Sequence, residues 1–287
     1  MARIDIDGIG IAYDLIGPAG GVPVAITPGG RFSRQAKGIR ELAEALAECG
    51  MRALIWDRPN CGESDLCFEG ESESHMQAQA LIGLIRALDL GPTMLVAGSA
   101  GARVSLFAAA IGGAAISRMF LFWISGGLLS MTRLGSYYCC EPADEASLKG
   151  MEAVAAMPIW AEQMAANPQG RAVMTGFAPQ DFIAVMERWV AAYLPQPGTP
   201  IGGLSPEMFA SMAMPVRILR GSPRDLYHPA RVGEDIAAML PNATMADPPW
   251  DLDLFDHRLR DNTGLFRDWP DIAPLVDQFV KETRHAG

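Results

Sequence analysis

The sequence has little of what marks proteins that bind nucleic acids or cross membranes. Of its 287 residues, 33 are acidic and 23 are basic, so the formal net charge is -10. Nucleic-acid backbones are bound largely through Lys and Arg, so this balance argues against a nucleic-acid partner. No apolar run approaches the ~20 residues that a membrane-spanning helix needs. We therefore expect no nucleic acid and no membrane among the partners of this chain.

Cysteine is also scarce, and its placement excludes common structural uses. The five cysteines include no C-x-x-C pair and no metal-ligand spacing, which favours free thiols in a reducing compartment. Cys139 and Cys140 are adjacent, but a vicinal disulfide is rare and two thiols are expected. The first residues lack the basic and apolar regions of a signal peptide. We expect a cytoplasmic protein that uses neither a metal nor a cofactor.

What is present is a regular alternation of strand-like and helix-like segments, in a chain that is 49% hydrophobic. Short, near-continuous apolar strands between amphipathic helices are typical of a mostly parallel sheet with helices on both faces. The two segments nearest the start alternate around Gly8 and predict a hairpin. The predicted strands cover residues 3–7, 9–15, 22–26, 52–56, 94–97, 119–124, 216–220 and 243–246; the predicted helices cover 35–49, 75–88, 102–111, 230–240 and 272–283.

Strand signals stop between about residues 128 and 214. Helical patterns at 148–156, 158–166 and 179–193 follow one another there, with a Pro/Gly-rich break at 195–203. This organisation predicts an α/β core in two parts, residues 1–127 and 215–287. Residues 128–214 would form a helical lid, inserted after the sixth strand.

A serine lies between small residues where a predicted strand meets a predicted helix. The stretch reads LVAGSAGARVSLFA, with Ser99 flanked two residues away by Ala97 and Gly101. A strand, a small-x-Ser-x-Gly turn and a helix are the layout of a nucleophile elbow, whose tight turn admits only small neighbours. The same serine could instead cap the helix as part of a packing turn. The helix start would present the N–H of Ala100 to an oxyanion.

Two further loops follow earlier strands, and the ordered set carries a resemblance. TPGGR follows the strand at 22–26, WDRPNCGESD follows the strand at 52–56, and VAGSAGA comes third. In this order they resemble the α/β-hydrolase fold family, with its oxyanion loop, its D-x-R-G-x-G-x-S loop and its G-x-S-x-G elbow. Pro28 stands where the family usually has histidine. The resemblance covers nearly the whole chain and implies Gly30 as a second oxyanion donor.

The family resemblance also implies a carboxylate and a histidine for Ser99. The acid is expected after the next-to-last strand, where Asp225 fits the family pattern with one extra residue. The family order Ser…Asp…His requires a later histidine, so we expect His257 rather than the near-terminal His285. The alternative for His257 is a surface histidine paired with Asp256. His228, three residues after Asp225, is expected near the pocket, as a substrate ligand or a displaced base.

Other side chains are candidates for holding a substrate. Arg31 follows the glycine loop and could bind a carboxylate through two hydrogen bonds. Arg103, on the elbow helix, could bind a carboxylate in the same way, but a structural salt bridge is expected there. Aromatic and methionine side chains are expected to line or support the space under the lid; they are Trp123, Tyr137, Tyr138, Trp160 and the methionines of residues 208–214.

These features predict a cofactor-free serine hydrolase of a small, fairly apolar carbonyl compound: an ester, a lactone or a C–C bond beside a ketone. Two alternatives remain open at this point. One is non-hydrolytic chemistry on the same fold, such as a cofactor-free lyase or oxygenase that uses His228. The other is a small-molecule receptor without catalysis. A homodimer is possible, although no sequence feature specifies one.

Overall fold

A mostly parallel sheet of eight strands forms the centre of the molecule in a computed structural model that describes residues 2–284. The strand order is β1-β2-β4-β3-β5-β6-β7-β8. β2 pairs antiparallel with β1 and β4, and all other neighbours are parallel, as predicted. The strands are β1 Ala2–Ile6, β2 Ile9–Ile16, β3 Val22–Thr27, β4 Met51–Trp56, β5 Thr93–Gly98, β6 Ile116–Phe122, β7 Val216–Leu219 and β8 Ala243–Ala246.

Helices cover the sheet and connect its strands. Short 3-10 helices lie at Gly113–Ala115, Pro158–Trp160 and Trp269–Ile272, and one π-helical turn lies at Ser136–Cys140. Across the described residues 2–284, no helix is long and apolar enough to cross a membrane. The α-helices are α1 Ile39–Glu48, α2 Glu73–Ala87, α3 Ala100–Gly112, α4 Leu128–Gly135, α5 Glu141–Lys149, α6 Met151–Ala155, α7 Ala161–Ala166, α8 Pro168–Thr175, α9 Pro179–Tyr193, α10 Pro206–Ser211, α11 Ala230–Met239, α12 Leu254–Asp261 and α13 Ala273–Arg284.

The sheet is buried on both faces, which explains the near-continuous apolar character of its central strands. Successive residues of β5 enter opposite cores. Leu95 and Ala97 pack on the side of α2 and α3, whereas Met94 and Val96 pack on the side of α1 and α13. This alternation holds the carboxyl end of β5 in a fixed position at the centre of the sheet.

Only helical elements occur between β6 and β7 in the structure. They pack around a third apolar cluster that includes Trp160, Phe182 and Trp189, and this cluster reaches the loop after β4 through Phe68. The π-helical turn, α4, α8, α10 and α12 were not among the predicted elements. They are short, and their apolar spacing is too brief to produce a clear helical period.

Candidate active site

The turn after β5 has the strained geometry of a nucleophile elbow. Ser99 has φ +57°, a conformation that non-glycine residues rarely adopt. Its N–H donates to the carbonyl of Trp123 at 2.9 Å, which ties the turn to the end of β6. A Cβ atom at Gly101 would lie 2.1 Å from the carbonyl oxygen of Thr27, so glycine is required there. The small residues around Ser99 are therefore a steric condition of this turn.

Ser99 lies at one end of a hydrogen-bonded chain of three side chains. Nε2 of His228 lies 2.9 Å from Oγ of Ser99. Nδ1 of the same ring lies 2.8 Å from Oδ2 of Asp225. With Asp225 ionised, Nδ1 carries the proton and donates it to the carboxylate, which leaves Nε2 free to accept from the serine hydroxyl.

Asp225 is held as a carboxylate by the loop that carries it. Its Oδ1 atom accepts the backbone N–H groups of Tyr227 at 2.7 Å and His228 at 2.9 Å. Burial alone would raise the pKa of Asp225, but the hydrogen bonds and charge of His228, together with these backbone donors, hold the pKa below its ordinary value. The group next to His228 is thus negatively charged at neutral pH.

Aromatic rings fix the orientation of the His228 imidazole, which is buried. The Phe255 ring meets it edge to face, with centroids 4.3 Å apart. The Trp123 ring is stacked beside it at 6.3 Å. Since the ring is held by packing as well as by hydrogen bonds, its two nitrogens point in fixed directions.

The structure corrects the expected position of the histidine. His257 is exposed on α12, while the imidazole that meets Ser99 belongs to His228. The reason is local: Asp225 and His228 lie in one turn of the β7–α11 loop, three residues apart, so the acid needs no partner from beyond β8. The other late histidine, His285, lies outside the described residues.

The glycine loop after β3 is pressed against Ser99. A Cβ atom at Gly29 would lie 2.6 Å from Cβ of Ser99. Nη2 of Arg58 donates to the carbonyl of Gly30 at 2.7 Å and to that of Gly29 at 3.2 Å. Because the N–H of Gly30 belongs to the same peptide as the Gly29 carbonyl, it points away from Arg58. Gly30 and Ala100 both line the cavity at Ser99, as two oxyanion donors must, and that role stays a prediction.

Sequence reasoning missed the part that Arg58 plays at this loop, although the D-x-R motif that contains it was recognised. The guanidinium is buried and reaches the glycine loop from the β4 side. A buried arginine directly after a strand, 28 residues from its partner Gly30, gives no sequence signal for what it contacts.

A cavity of about 630 Å³ opens at Ser99, between the sheet and the helical segment after β6. Trp123, Tyr137, Tyr138 and His228 line it as expected, whereas Trp160 and the methionines of residues 208–214 do not. Burial raises the pKa of the Tyr138 phenol to about 12, so its hydroxyl remains a donor. The lining residues are Gly29, Gly30, Phe32, Ser99, Ala100, Arg103, Trp123, Arg133, Leu134, Ser136, Tyr137, Tyr138, Glu141, Tyr227, His228, Phe255, Leu259, Leu265 and Phe266.

The two candidate arginines lie in places other than those expected. Arg31, expected to bind substrate, does not line the cavity. It forms a buried ion pair with Glu73 at 3.2 Å and lies 3.7 Å over the ring of Trp160. Arg103, expected to form a salt bridge, lines the cavity instead. The difference arises because the buried carboxylate of Glu73 lies within reach of Arg31.

This arrangement can support nucleophilic catalysis by a hydroxyl. The serine has a base at hydrogen-bond distance, the base has an orienting carboxylate, and the site opens to a largely apolar cavity. Among the residues that the structure describes, no group of three or more His, Cys, Asp or Glu side chains is placed to hold a metal ion.

Comparisons with known proteins identify the architecture. No protein-family model matches the sequence. No curated protein matches it either. Solved structures do match over nearly the full length. An enol-lactonase from Burkholderia xenovorans LB400 is 16% identical with a TM-score of 0.61, covering 98% of this chain and 100% of its own.

Two further structures agree with this result. An α/β hydrolase from Sphaerobacter thermophilus DSM 20745 is 22% identical, with a TM-score of 0.58, 97% of this chain covered and 100% of its own. A structure from a study of carboxylesterases of Nitrososphaera gargenis is 14% identical, with a TM-score of 0.61, 98% of this chain covered and 100% of its own. With its eight-stranded sheet, its elbow after β5 and these structural neighbours, the chain has the α/β-hydrolase fold.

Proposed function

We propose that the protein is a serine hydrolase of a small carbonyl substrate, with Ser99 as nucleophile, His228 as base and Asp225 as the orienting carboxylate. The observation that carries the proposal is the continuous hydrogen-bonded chain from Oγ of Ser99 through His228 to Asp225, with links of 2.9 and 2.8 Å. Neighbouring structures include an enol-lactonase and carboxylesterases, which supports hydrolytic chemistry on this fold.

The proposed reaction has two halves. In the first, Oγ of Ser99 attacks the carbonyl carbon while Nε2 of His228 takes its proton. The N–H groups of Gly30 and Ala100 stabilise the oxyanion, and the leaving group departs with the proton from His228. In the second, His228 removes a proton from water, the hydroxide attacks the acyl-serine, and the carboxylic acid leaves as Ser99 regains its proton.

The cavity favours a substrate with an apolar body. Phe32, Trp123, Phe255, Leu265 and Phe266 supply rings and aliphatic groups to its walls. Binding by such walls comes mainly from burial of apolar surface, and the few polar groups orient the ligand. An ester, a lactone or a C–C bond beside a ketone all present the carbonyl that this mechanism requires.

A fluorophosphonate probe tests the assignment of nucleophile and base. Wild-type protein should gain one adduct by intact mass, and Ser99→Ala should gain none. His228→Ala should react at least ~100-fold more slowly, since general-base assistance contributes about that much or more. His257→Ala is the matched control, because it removes an exposed histidine of α12, and should react at the wild-type rate.

Each contrary labelling result would reject a specific assignment. A wild-type labelling rate in His228→Ala would remove His228 as the base, and a large loss in His257→Ala would restore the family's chain order. Absence of labelling together with tight binding of a small ligand would favour a receptor. Once labelling is established, p-nitrophenyl esters, lactones and dienoate ketones assayed in parallel separate the three bond types.

A further inference from the structure

Arg103 carries a positive charge into the cavity at Ser99. It lies on the first turn of α3, four residues after Ser99, and both side chains line the same cavity. We propose that Arg103 binds a carboxylate of the substrate, so that the natural substrate is a carboxylate-bearing ester or lactone. This inference rests on the proposed function and adds to it the chemical class of the molecule that is hydrolysed.

The Arg103 charge is buried without an ion-pair partner among residues 2–284. The residue is only 4% exposed. Its Nη1 donates to Oγ of Ser125 at 2.7 Å, and its guanidinium lies 5.0 Å from the Tyr193 ring centroid. Within residues 2–284 no carboxylate forms an ion pair with it. A buried cation held only by neutral groups is unfavourable, and a ligand carboxylate supplies the missing counter-charge.

A second buried arginine, Arg31, lies outside the cavity and has a carboxylate partner. The partner is Glu73, which in turn accepts a hydrogen bond from Asn60. Arg31 thus has a counter-charge within the fold, whereas Arg103 has none among residues 2–284. Arg58 is also buried without an ion pair in this range, but it lies outside the cavity and donates to the backbone carbonyls of the glycine loop. The difference between Arg31 and Arg103 matches what a binding site for an anion requires.

The other charged side chains at the cavity lie at its rim. Arg133 and Glu141 are both exposed, and the Arg133 guanidinium donates to the hydroxyl of Tyr227 at 3.0 Å. Exposed charges are screened by water and ions, and they bind a small anion weakly. Arg103 is therefore the cation that can hold a carboxylate away from solvent.

The position of Arg103 also limits the size of the ligand. Both side chains line one cavity of about 630 Å³, so a carboxylate at Arg103 and a carbonyl at Ser99 can belong to one small molecule. The guanidinium fork matches a carboxylate through paired hydrogen bonds. A half-ester of a short dicarboxylic acid has this layout, with apolar atoms between its two ends.

Binding to the Ser99→Ala variant tests the proposal without any dependence on hydrolysis. Monomethyl glutarate is the probe, and its primary amide, methyl 5-amino-5-oxopentanoate, is the uncharged control of the same shape. Calorimetric titration should show the carboxylate binding roughly 10- to 100-fold more tightly than the amide, the range that a charge-assisted hydrogen bond supplies. Arg103→Gln in the same background should abolish the preference, and Arg103→Lys should keep part of it.

A matched charge control comes from the surface. Arg220 pairs with the exposed Asp247, and Arg220→Gln in the Ser99→Ala background should leave the preference unchanged. Equal affinities for the carboxylate and the amide, no measurable binding of the carboxylate, or a preference that survives Arg103→Gln would each overturn the proposal. If Arg103→Gln fails to fold, the ratio of the carboxylate affinity to the amide affinity, measured on Ser99→Ala alone, still tests the proposal. Failure of the proposed function appears separately, as absence of fluorophosphonate labelling at Ser99.

Discussion

Replacing Asp225 with asparagine changes the charge at the end of the hydrogen-bonded chain while keeping its shape. The new carbonyl oxygen can still accept the backbone N–H groups of Tyr227 and His228, which the carboxylate accepts at 2.7 and 2.9 Å. The new amide nitrogen faces Nδ1 of His228, where Oδ2 now lies at 2.8 Å. Two donors cannot face each other, so the imidazole proton moves to Nε2. The ring then cannot accept the proton of Ser99.

The expected loss of activity is far larger than the loss of stability. A wrong tautomer lowers kcat by about 10⁴-fold in a serine–histidine–aspartate triad, or about 5 kcal/mol in the barrier. Only one charge-assisted hydrogen bond is lost from the fold, worth about 1.5–3 kcal/mol. The melting temperature of a chain of this size should fall by roughly 3–10 °C.

Both quantities can be measured on the same preparations. Hydrolysis of p-nitrophenyl butyrate gives kcat, and circular dichroism gives the melting temperature. Asp247→Asn is the matched control, because Asp247 is exposed and pairs only with Arg220 among the described residues; both quantities should stay at wild-type values. If Asp225→Asn keeps more than roughly a tenth of the wild-type kcat while folded, the orienting role assigned to Asp225 is refuted.

Three further perturbations test the fold around the site. The pKa of Asp225 is lowered, so its ionised form stabilises the folded state above the ordinary aspartate pKa of about 3.9. That contribution is lost as pH falls through the folded pKa, so the difference in melting temperature between wild type and Asp225→Asn should shrink below about pH 4; a constant difference would contradict this. Glu73→Gln leaves Arg31 buried without a counter-charge, so the free energy of unfolding in urea should fall by about 3–5 kcal/mol. The double variant Arg31→Met/Glu73→Gln should recover part of that loss. An equal loss in both variants would contradict the ion-pair argument. Gly101→Ala places a Cβ 2.1 Å from the Thr27 carbonyl oxygen and should cost about 1–3 kcal/mol, whereas an unchanged melting temperature would show that the elbow has room to relax.

The sheet and the position of Ser99 were predictable because their causes are local or periodic. Buried parallel strands require continuous apolar runs, and the tight turn after β5 requires small residues beside the serine. Asp225 was proposed through the family resemblance, which implies an acid after the next-to-last strand. Each of these inferences needed only a short segment and its order along the chain.

The choice of histidine was not predictable in the same way. Chain order pointed to His257, because a base usually comes from beyond the last strand. The three-residue spacing of Asp225 and His228 brings acid and base together only if the loop bends so that Asp225 accepts the backbone N–H groups that follow it. That bend depends on the backbone conformation of the folded loop, which residue types alone do not specify.

The roles of the arginines also depended on long-range contacts. Arg31 and Glu73 are 42 residues apart in the chain, and nothing in either segment predicts their pairing. Arg103 lines the cavity, and no carboxylate within residues 2–284 pairs with it. Whether a buried arginine has a counter-charge depends on the assembled fold, so a local sequence pattern does not predict it.

The placement of both Asp225 and His228 on the single loop between β7 and α11 makes the chain after β8 available for redesign. Leu259 and Leu265 reach the cavity wall from that part of the chain, yet neither the proton acceptor nor its carboxylate partner lies there. Libraries that vary these two leucines, with Phe255 kept because its ring packs against His228, can therefore reshape the pocket for new substrates without replacing Asp225 or His228.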